Sequence, residues 1–261
     1  MIRTEIDIEE CRRLWERFSP QQDAWDDWNL MAAFHDPDNH RFNFLVHHSS
    51  DGRADGLVPL VEDTQKNRFM LMGGSYPDGR VLWLRNQDFP EIFERLPDRT
   101  VFFDLKQCWV ADLLQLHPQF DGNFSEPDLR YFLAPSEFDF DFQKHLDTFP
   151  AEKKQKFLYD LRNIGKREPA LRWSGEDEAE LFIELVNRNF GAASDYADEE
   201  NTKELRRVIA ELERSGRLKT LTIEIDGARQ AVSLSLLYGN KMVALYASSN
   251  NDYNNLGKLL N

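Results

Sequence analysis

The sequence predicts an α+β fold with mixed, mainly antiparallel sheets, divided into two parts at residues 1–135 and 136–261. Apolar runs separated by turn residues recur through the first part, where few segments have helical periodicity. Around residues 134–137 the pattern changes to amphipathic segments in which apolar residues recur every three or four positions. Three strands joined by short turns follow these segments, so each part is predicted to combine a sheet with helices.

The composition is typical of a soluble globular protein, with 41% hydrophobic and 30% charged residues among 261. No apolar run reaches the ~20 residues that cross a bilayer, and the N-terminal residues lack the pattern of an export leader. Cys11 and Cys108 are too few for a disulfide framework, and the histidines lack partners at metal-ligand spacing. We therefore expect a cytoplasmic protein with no metal site and no membrane segment.

The first part is predicted to begin with helices and to continue as strands. Helical spacing covers Ile6–Phe34, which Ser19-Pro20 divides in two, and a short helix is predicted at Pro90–Arg95. Asp51-Gly52 predicts a hairpin loop, and Pro59 predicts a sheet edge or bulge because proline donates no ladder hydrogen bond. The predicted strands are Phe42–Val46, Gly56–Val61, Arg68–Met72, Val81–Leu84, Thr100–Leu105, Leu113–Leu116 and Arg130–Leu133.

The second part is predicted to have longer helices with clear ends. Pro150 lies close to the start of one helix and Gly165 close to its end, while Gly216 ends another. Asp226-Gly227 and Gly239-Asn240 predict hairpin turns. The predicted helices are Phe138–Thr148, Ala151–Lys166, Glu176–Phe190 and Asn201–Ser215, and the predicted strands are Leu171–Trp173, Leu218–Ile225, Ala231–Tyr238 and Met242–Ala247.

This order of one strand, two helices and three antiparallel strands resembles the opening of the GNAT N-acyltransferase fold. That family then has a Q/R-x-x-G-x-G/A turn, which the segment Asn254–Leu259 resembles. Gly257 stands at the first glycine of the pattern, whereas Asn254 replaces the usual glutamine or arginine and Leu259 replaces a small residue. The match is therefore partial at two positions.

The whole chain is similar to the FemAB-like branch of this superfamily, including acetyltransferases described as related to cellulose biosynthesis. The segments that carry this similarity are Gly56–Leu60, Gly73–Tyr76, Val81–Leu84, the basic segment Lys153–Glu168, Arg188–Tyr196 and Tyr246–Asn261. The resemblance implies two tandem GNAT-like modules, at 1–135 and 136–261. It also implies that the second module is truncated, since the family continues with further strands. An exposed last strand would favour pairing with another chain, so oligomers stay open.

The resemblance implies a coenzyme A site at the end of the chain. Amide groups of Asn254, Asn255, Gly257 and Lys258, at the N-terminus of a helix, would bind the pyrophosphate. The competing interpretation is that the two asparagines only cap a surface helix. The pantetheine arm would lie along the preceding strand, with Ala247 and Ser248 among its contacts.

The resemblance also implies candidates for catalysis and for binding of the acceptor. Tyr246 is a candidate proton donor to the leaving thiolate, although an aromatic residue in a strand also suits a core. Asp195 and Tyr196 lie in a segment that lines the acceptor side in the family, with Asp195 as a candidate base. Gly74 and Tyr76 form either an acceptor-binding turn or a tight loop packed on the sheet. Proximity alone can suffice for such a reaction, so a base is not required.

The function implied is transfer of an acyl group from acyl-CoA to a small-molecule amine or peptide acceptor. The formal charge of −14 argues against nucleic acid as a partner. However, residues 153–167 hold six basic residues, which form either a solvated helix face or a contact for an anionic acceptor, a nucleotide phosphate or tRNA. An aminoacyl-tRNA-dependent transferase of the FemAB type and a non-catalytic binding module therefore stay as alternatives.

Overall fold

A computed structural model describes residues 1–75, 77, 79–125, 133–253 and 256, in two compact units. The units are Met1–Asp128 and Leu129–Asn261. Both combine a sheet with helices, which confirms the predicted α+β class with mixed and antiparallel sheets. Among the described residues, every helix is too short or too polar to cross a lipid bilayer.

The first unit is built on a five-stranded sheet with the strand order β1-β2-β3-β4-β5. The first four strands pair in antiparallel fashion, whereas β5 lies parallel to β4. The strands are β1 (Ile2–Glu5), β2 (His40–His48), β3 (Ala54–Asp63), β4 (Arg68–Leu71) and β5 (Thr100–Val101). The helices are α1 (Ile8–Phe18), α2 (Trp28–Ala33), α3 (Phe89–Phe93) and α4 (Gln107–Leu116).

Pro59 lies in β3, which is a central strand and not the predicted edge. The carbonyl group of Pro59 accepts from the N–H of Met72, one residue beyond the end of β4. In an antiparallel strand, the nitrogen and carbonyl oxygen of one residue point to the same side. The nitrogen of Pro59 therefore points toward β4 at a level where β4 has already ended, so its missing N–H removes no hydrogen bond from the β3–β4 ladder. The sheet tolerates the proline for that reason.

Three predicted strands of this unit were wrong or too long. Val81–Leu84 makes only an isolated bridge between Trp83 and Leu57, and the predicted strand at Thr100–Leu105 is reduced to β5. Leu113–Leu116 belongs to α4, because a four-residue apolar run fits one turn of a helix as well as a short strand. The predicted strand at Arg130–Leu133 lies largely outside the described residues.

The core of the first unit encloses a buried arginine. Trp15 is fully buried, and its ring centroid lies 4.7 Å from the ring centroid of Trp83. The guanidinium carbon of Arg80 lies 6.0 Å from the centroid of the Trp15 ring. Arg80 donates from Nη1 to the carbonyl oxygen of Met72 at 2.7 Å. Burial disfavours the charged form and lowers the pKa of Arg80 to about 10, so the side chain remains protonated at neutral pH.

The second unit contains a fully antiparallel sheet with the strand order β6-β7-β8-β9. The strands are β6 (Ala170–Ser174), β7 (Leu218–Ile225), β8 (Ala228–Tyr238) and β9 (Lys241–Ser249). The helices are α5 (Phe142–Asp147), α6 (Ala151–Gly165), α7 (Ala179–Phe190) and α8 (Glu199–Arg214). The four predicted strands of this part are confirmed, and β7 has the predicted bounds.

The amphipathic pattern of α8 positions this helix on the sheet. Asp198 caps its N-terminus by accepting from the N–H of Glu200 at 2.9 Å, and four apolar side chains form its buried face. These residues are Leu205, Val208, Ile209 and Leu212. α7 packs against β8 and β9 through Phe182 and its neighbours, and this packing places the end of α7 next to the candidate site.

Gly73 should be far less tolerant of a side chain than Gly52, although both have positive φ angles, of +92° and +82°. A Cβ at Gly73 would lie 2.2 Å from Met31 Cε and 2.7 Å from Pro77 Cγ. A Cβ at Gly52 would have no atom within 4 Å. We expect Gly52→Ala to lower the free energy of unfolding by about 1 kcal/mol. Gly73→Ala should lower it by about 1–3 kcal/mol more.

Urea denaturation followed by tryptophan fluorescence measures this difference, because Trp173 is the only tryptophan of the second unit. Equal losses in the two variants would show that the turn at Gly73 relaxes and that the contacts with Met31 and Pro77 carry no cost.

Candidate functional site

The candidate site in the second unit is the outer edge of β9. Only β8 pairs with β9 among the described strands. Tyr246 lies opposite Leu234 and Ala244 lies opposite Ser235, so Leu245 is an extra residue in the ladder. This is a β-bulge, which bends a strand and redirects its backbone groups.

The ladder shows which backbone groups face the open edge. The N–H of Asn250 donates to the carbonyl oxygen of Gln230 at 2.7 Å, so this is a hydrogen-bonded pair. Such pairs alternate in an antiparallel ladder, and the amides of Tyr246 and Ser248 therefore face β8. The backbone groups of Ala247 and Ser249 face outward. Ala247 is exposed, and its N–H has no partner in the described part of the chain.

Asn189, in the last turn of α7, fixes the end of this edge. Its Nδ2 donates to the outward carbonyl oxygen of Ser249 at 2.8 Å, and its Oδ1 accepts from the N–H of Asn251 at 3.4 Å. One amide side chain thereby holds both the strand end and the turn after it. Asn189 lies within the Arg188–Tyr196 segment that carries the family resemblance, but its partners are 60 residues away along the chain, so spacing did not indicate its role.

Hydrogen bonds also define the turn that follows β9. Asn250 is buried, donates from Nδ2 to Gln230 Oε1 at 2.9 Å, and accepts at Oδ1 from the N–H of Asp252 at 3.0 Å. Ser248, which is a predicted contact of the pantetheine arm, is buried. The turn leads toward the predicted cofactor residues Asn254, Asn255, Gly257 and Lys258, all of which lie outside the described residues.

The structure brings Tyr246 and Tyr196 onto one aromatic ring. Tyr246 is 5% exposed, and its ring centroid is 5.6 Å from that of Phe182 in α7. Tyr196 packs on the same ring at 5.0 Å in an edge-on arrangement. The burial of Tyr246 fits a core residue, so its part in proton transfer stays a prediction.

Asp195 lies in a single turn of 3-10 helix, Asp195–Ala197, and is exposed. The turn is held by its backbone, because the carbonyl of Asp195 accepts from Asn201 Nδ2 at 2.8 Å and that of Tyr196 accepts from Thr202 Oγ1 at 3.1 Å. The loop therefore has a defined path while its carboxylate faces solvent. Its part as a base stays a prediction.

In the first unit, the predicted acceptor residue Gly74 lies in a tight turn after β4. Its φ is +63° and its N–H donates to the carbonyl oxygen of Leu71 at 2.9 Å. A tight loop was one of the two predicted interpretations. Tyr76 lies outside the described residues, so the acceptor-binding interpretation stays a prediction.

One cluster of the first unit has side chains of the kind that bind metals. Ligand atoms of His47, Asp55 and Asp88 lie within 4.8 Å of one another. However, Arg85 donates from Nε to Asp88 at 2.6 Å, and its Nη2 lies 3.4 Å from Asp55. Since a guanidinium already supplies the positive charge between these carboxylates, we assign no metal ion to the cluster.

Comparisons with known proteins agree with the resemblance read from the motifs. A family model described as an acetyltransferase (GNAT) domain matches residues 152–260. A conserved protein of unknown function from Bacteroides thetaiotaomicron VPI-5482 has a similar structure, with a TM-score of 0.55 and 12% identity over 100% of this chain and 84% of that chain. No curated protein matches the sequence.

Two further structures are similar. FemX has a TM-score of 0.52 and 11% identity, over 96% of this chain and 81% of that chain. A tandem GNAT protein from the clavulanic acid biosynthesis pathway has 14% identity over 100% of this chain and 82% of its own, but its TM-score of 0.45 is too low to support an argument. Residues 152–260 therefore match the model of a GNAT acetyltransferase domain, and the chain shares its fold with FemX.

Proposed function

We propose that this chain transfers an acyl group from acyl-CoA to an amine of a small molecule or peptide. The observation that carries the proposal is the outward N–H of Ala247 on the open edge of β9, inside the matched domain. In the reaction, the amine nitrogen attacks the thioester carbonyl, the new C–N bond forms and the C–S bond breaks. The amine loses one proton, and the thiolate takes one up.

The N–H of Ala247 would stabilise the oxyanion that forms on the thioester carbonyl. A fixed donor of this kind is worth about 3 kcal/mol in the transition state. The donor's pantetheine would lie along β9 past Ala247 and Ser248. Its pyrophosphate would bind at Asn254, Asn255, Gly257 and Lys258, as the family resemblance implies.

Proton transfer and acceptor binding follow the sequence-based expectations in this proposal. Tyr246 is the proton donor to the thiolate, and Asp195 is the base that takes the amine proton. Tyr196 contacts the acceptor in the second unit, and Gly74 and Tyr76 stay candidates for acceptor binding in the first unit. Tyr196 and Tyr246 both pack on Phe182, which supports a common site for these two side chains within the second unit.

Two alternatives to this proposal stay open. One uses a different acyl donor, and the other catalyses no reaction. A FemAB-type transferase would take its acyl group from aminoacyl-tRNA, and the fold shared with FemX together with the basic residues of α6 supports that alternative. A binding module would hold an acyl donor or acceptor without turnover. The first differs from the leading proposal in how the chain responds to coenzyme A, and the second differs in the absence of acyl transfer.

Coenzyme A should stabilise the second unit. At a ligand concentration about 100-fold above the dissociation constant, the free energy of unfolding should rise by about 2.7 kcal/mol, because the ligand binds only the folded state. Differential scanning fluorimetry with acetyl-CoA, and with adenosine as a control that lacks phosphates, measures this effect. Tight binding of purified aminoacyl-tRNA without any response to acetyl-CoA would favour the FemAB-type alternative instead.

Replacement of Ala247 by proline should remove the proposed oxyanion donor without removing a ladder bond, because this N–H faces away from β8. We expect Ala247→Pro to lower kcat for acetyl-CoA turnover about 10²- to 10³-fold, with the KM for acetyl-CoA nearly unchanged. Turnover is measured as free thiol released in the presence of a panel of primary amines.

The matched control is Ala247→Gly, which removes the side chain but keeps the N–H. It should retain kcat within about threefold, on the premise that only the amide acts. Equal kcat values for the proline and glycine variants, in proteins with wild-type circular dichroism, would exclude Ala247 as the donor.

A further inference from the structure

A groove with a volume of about 380 Å³ lies where α5 is joined to α6, within the second unit. Its apolar walls are the half-buried rings of Phe149 and Phe157 together with the ring of Pro150. The centroids of the two phenylalanine rings are 6.2 Å apart, and the ring planes are nearly perpendicular at 79°. The volume and the apolar walls are typical of a site for a small molecule.

Two lysines of α6 complete the lining of this groove. Lys153 and Lys156 are exposed and make no ion pair with a described carboxylate. Lys154, which lies between them in the sequence, is instead bound to Asp147 of α5, and Asp147 also accepts from Gln143 Nε2 at 2.9 Å. In a chain with 46 acidic and 32 basic residues, two cations without acidic partners beside an apolar groove reverse the average charge locally.

Helix stability does not explain the position of Lys153. It lies in the first turn of α6, which begins at Ala151. The N-terminal end of a helix carries a partial positive charge, so a cation in the first turn is unfavourable there. A bound anion beside Lys153 would offset this repulsion, whereas the free protein gains nothing from the charge.

We propose that this groove binds a small organic anion that has an apolar body and one carboxylate. The body lies against Phe149 and Phe157, and the carboxylate accepts hydrogen bonds from the ammonium groups of Lys153 and Lys156. An ammonium group is a compact charge on a flexible stem, so two lysines can reach one carboxylate from different sides. The proposal goes beyond acyl transfer and does not depend on it, because none of the candidate residues for catalysis or donor binding lines the groove.

A contact with tRNA phosphates is the competing role for these lysines, as a FemAB-type function would require. Binding to a phosphate backbone depends on the charges and on the salt concentration, and it needs no apolar body. Binding of an amphiphilic anion depends on both the charge and the apolar area that the groove covers. The length of the apolar body therefore separates the two roles.

NMR titration of the full chain with octanoate tests the proposal. Octanamide, which has the same chain but no charge, should bind at least tenfold more weakly, because the charge-assisted hydrogen bonds are lost. Acetate keeps the charge but lacks the body, so it should bind about two- to fourfold more weakly for each methylene that the groove buries.

A double variant tests the two lysines directly. We expect Lys153→Gln with Lys156→Gln to weaken the octanoate dissociation constant at least tenfold. The matched control is Lys154→Gln with Lys166→Gln, which removes the same charge from α6 and its C-terminal cap without touching the groove. Its dissociation constant should stay within about twofold of the wild-type value, and both proteins should have wild-type circular dichroism.

Four outcomes would overturn the proposal. Wild-type protein that does not bind octanoate has no such site. Equal affinities for acetate and octanoate would show that the apolar walls contribute nothing. Unchanged binding in the Lys153/Lys156 double variant would exclude these lysines, and equal weakening in the control would assign the effect to the overall charge of α6.

Discussion

The outer edge of β9, which no described strand pairs with, is the constraint on which the proposed chemistry depends. The bulge at Leu245 bends the strand, and the ladder with β8 then leaves the backbone groups of Ala247 and Ser249 on the open side. Asn189 occupies the carbonyl of Ser249, so the side chain closes one end of the edge while the N–H of Ala247 stays open. A backbone N–H that a sheet holds in place needs little reorganisation when negative charge develops on the carbonyl oxygen of a bound thioester.

Charge distribution sets the second requirement, because a chain with a net charge of −14 repels phosphates on average. Binding of a phosphorylated donor therefore has to rely on local features. The basic residues of α6 form one such feature, and packing of Ile164 against Leu256 brings the end of that helix to the segment after β9.

Much of the second unit could be predicted from the sequence, because its elements are long and periodic. β7 has the predicted bounds, and α8 buries the four apolar residues that its spacing indicated. In contrast, β1 was missed because Ile2–Glu5 is a strand only through pairing with β2, about 40 residues away. Leu113–Leu116 was assigned to a strand because a short apolar run has no distinctive period. The role of Asn189 could not be predicted from the sequence either, because its hydrogen-bond partners, Ser249 and Asn251, are distant along the chain.

Residue-specific hydrogen exchange of the β9 amides, measured by NMR with and without coenzyme A, tests the central claim most directly. The account predicts fast exchange at Ala247 in the free protein and strong protection once coenzyme A is bound. The amides of Tyr246 and Ser248, which face β8, should exchange slowly in both states. Slow exchange at Ala247 without ligand, or no change when coenzyme A saturates the protein, would contradict the account.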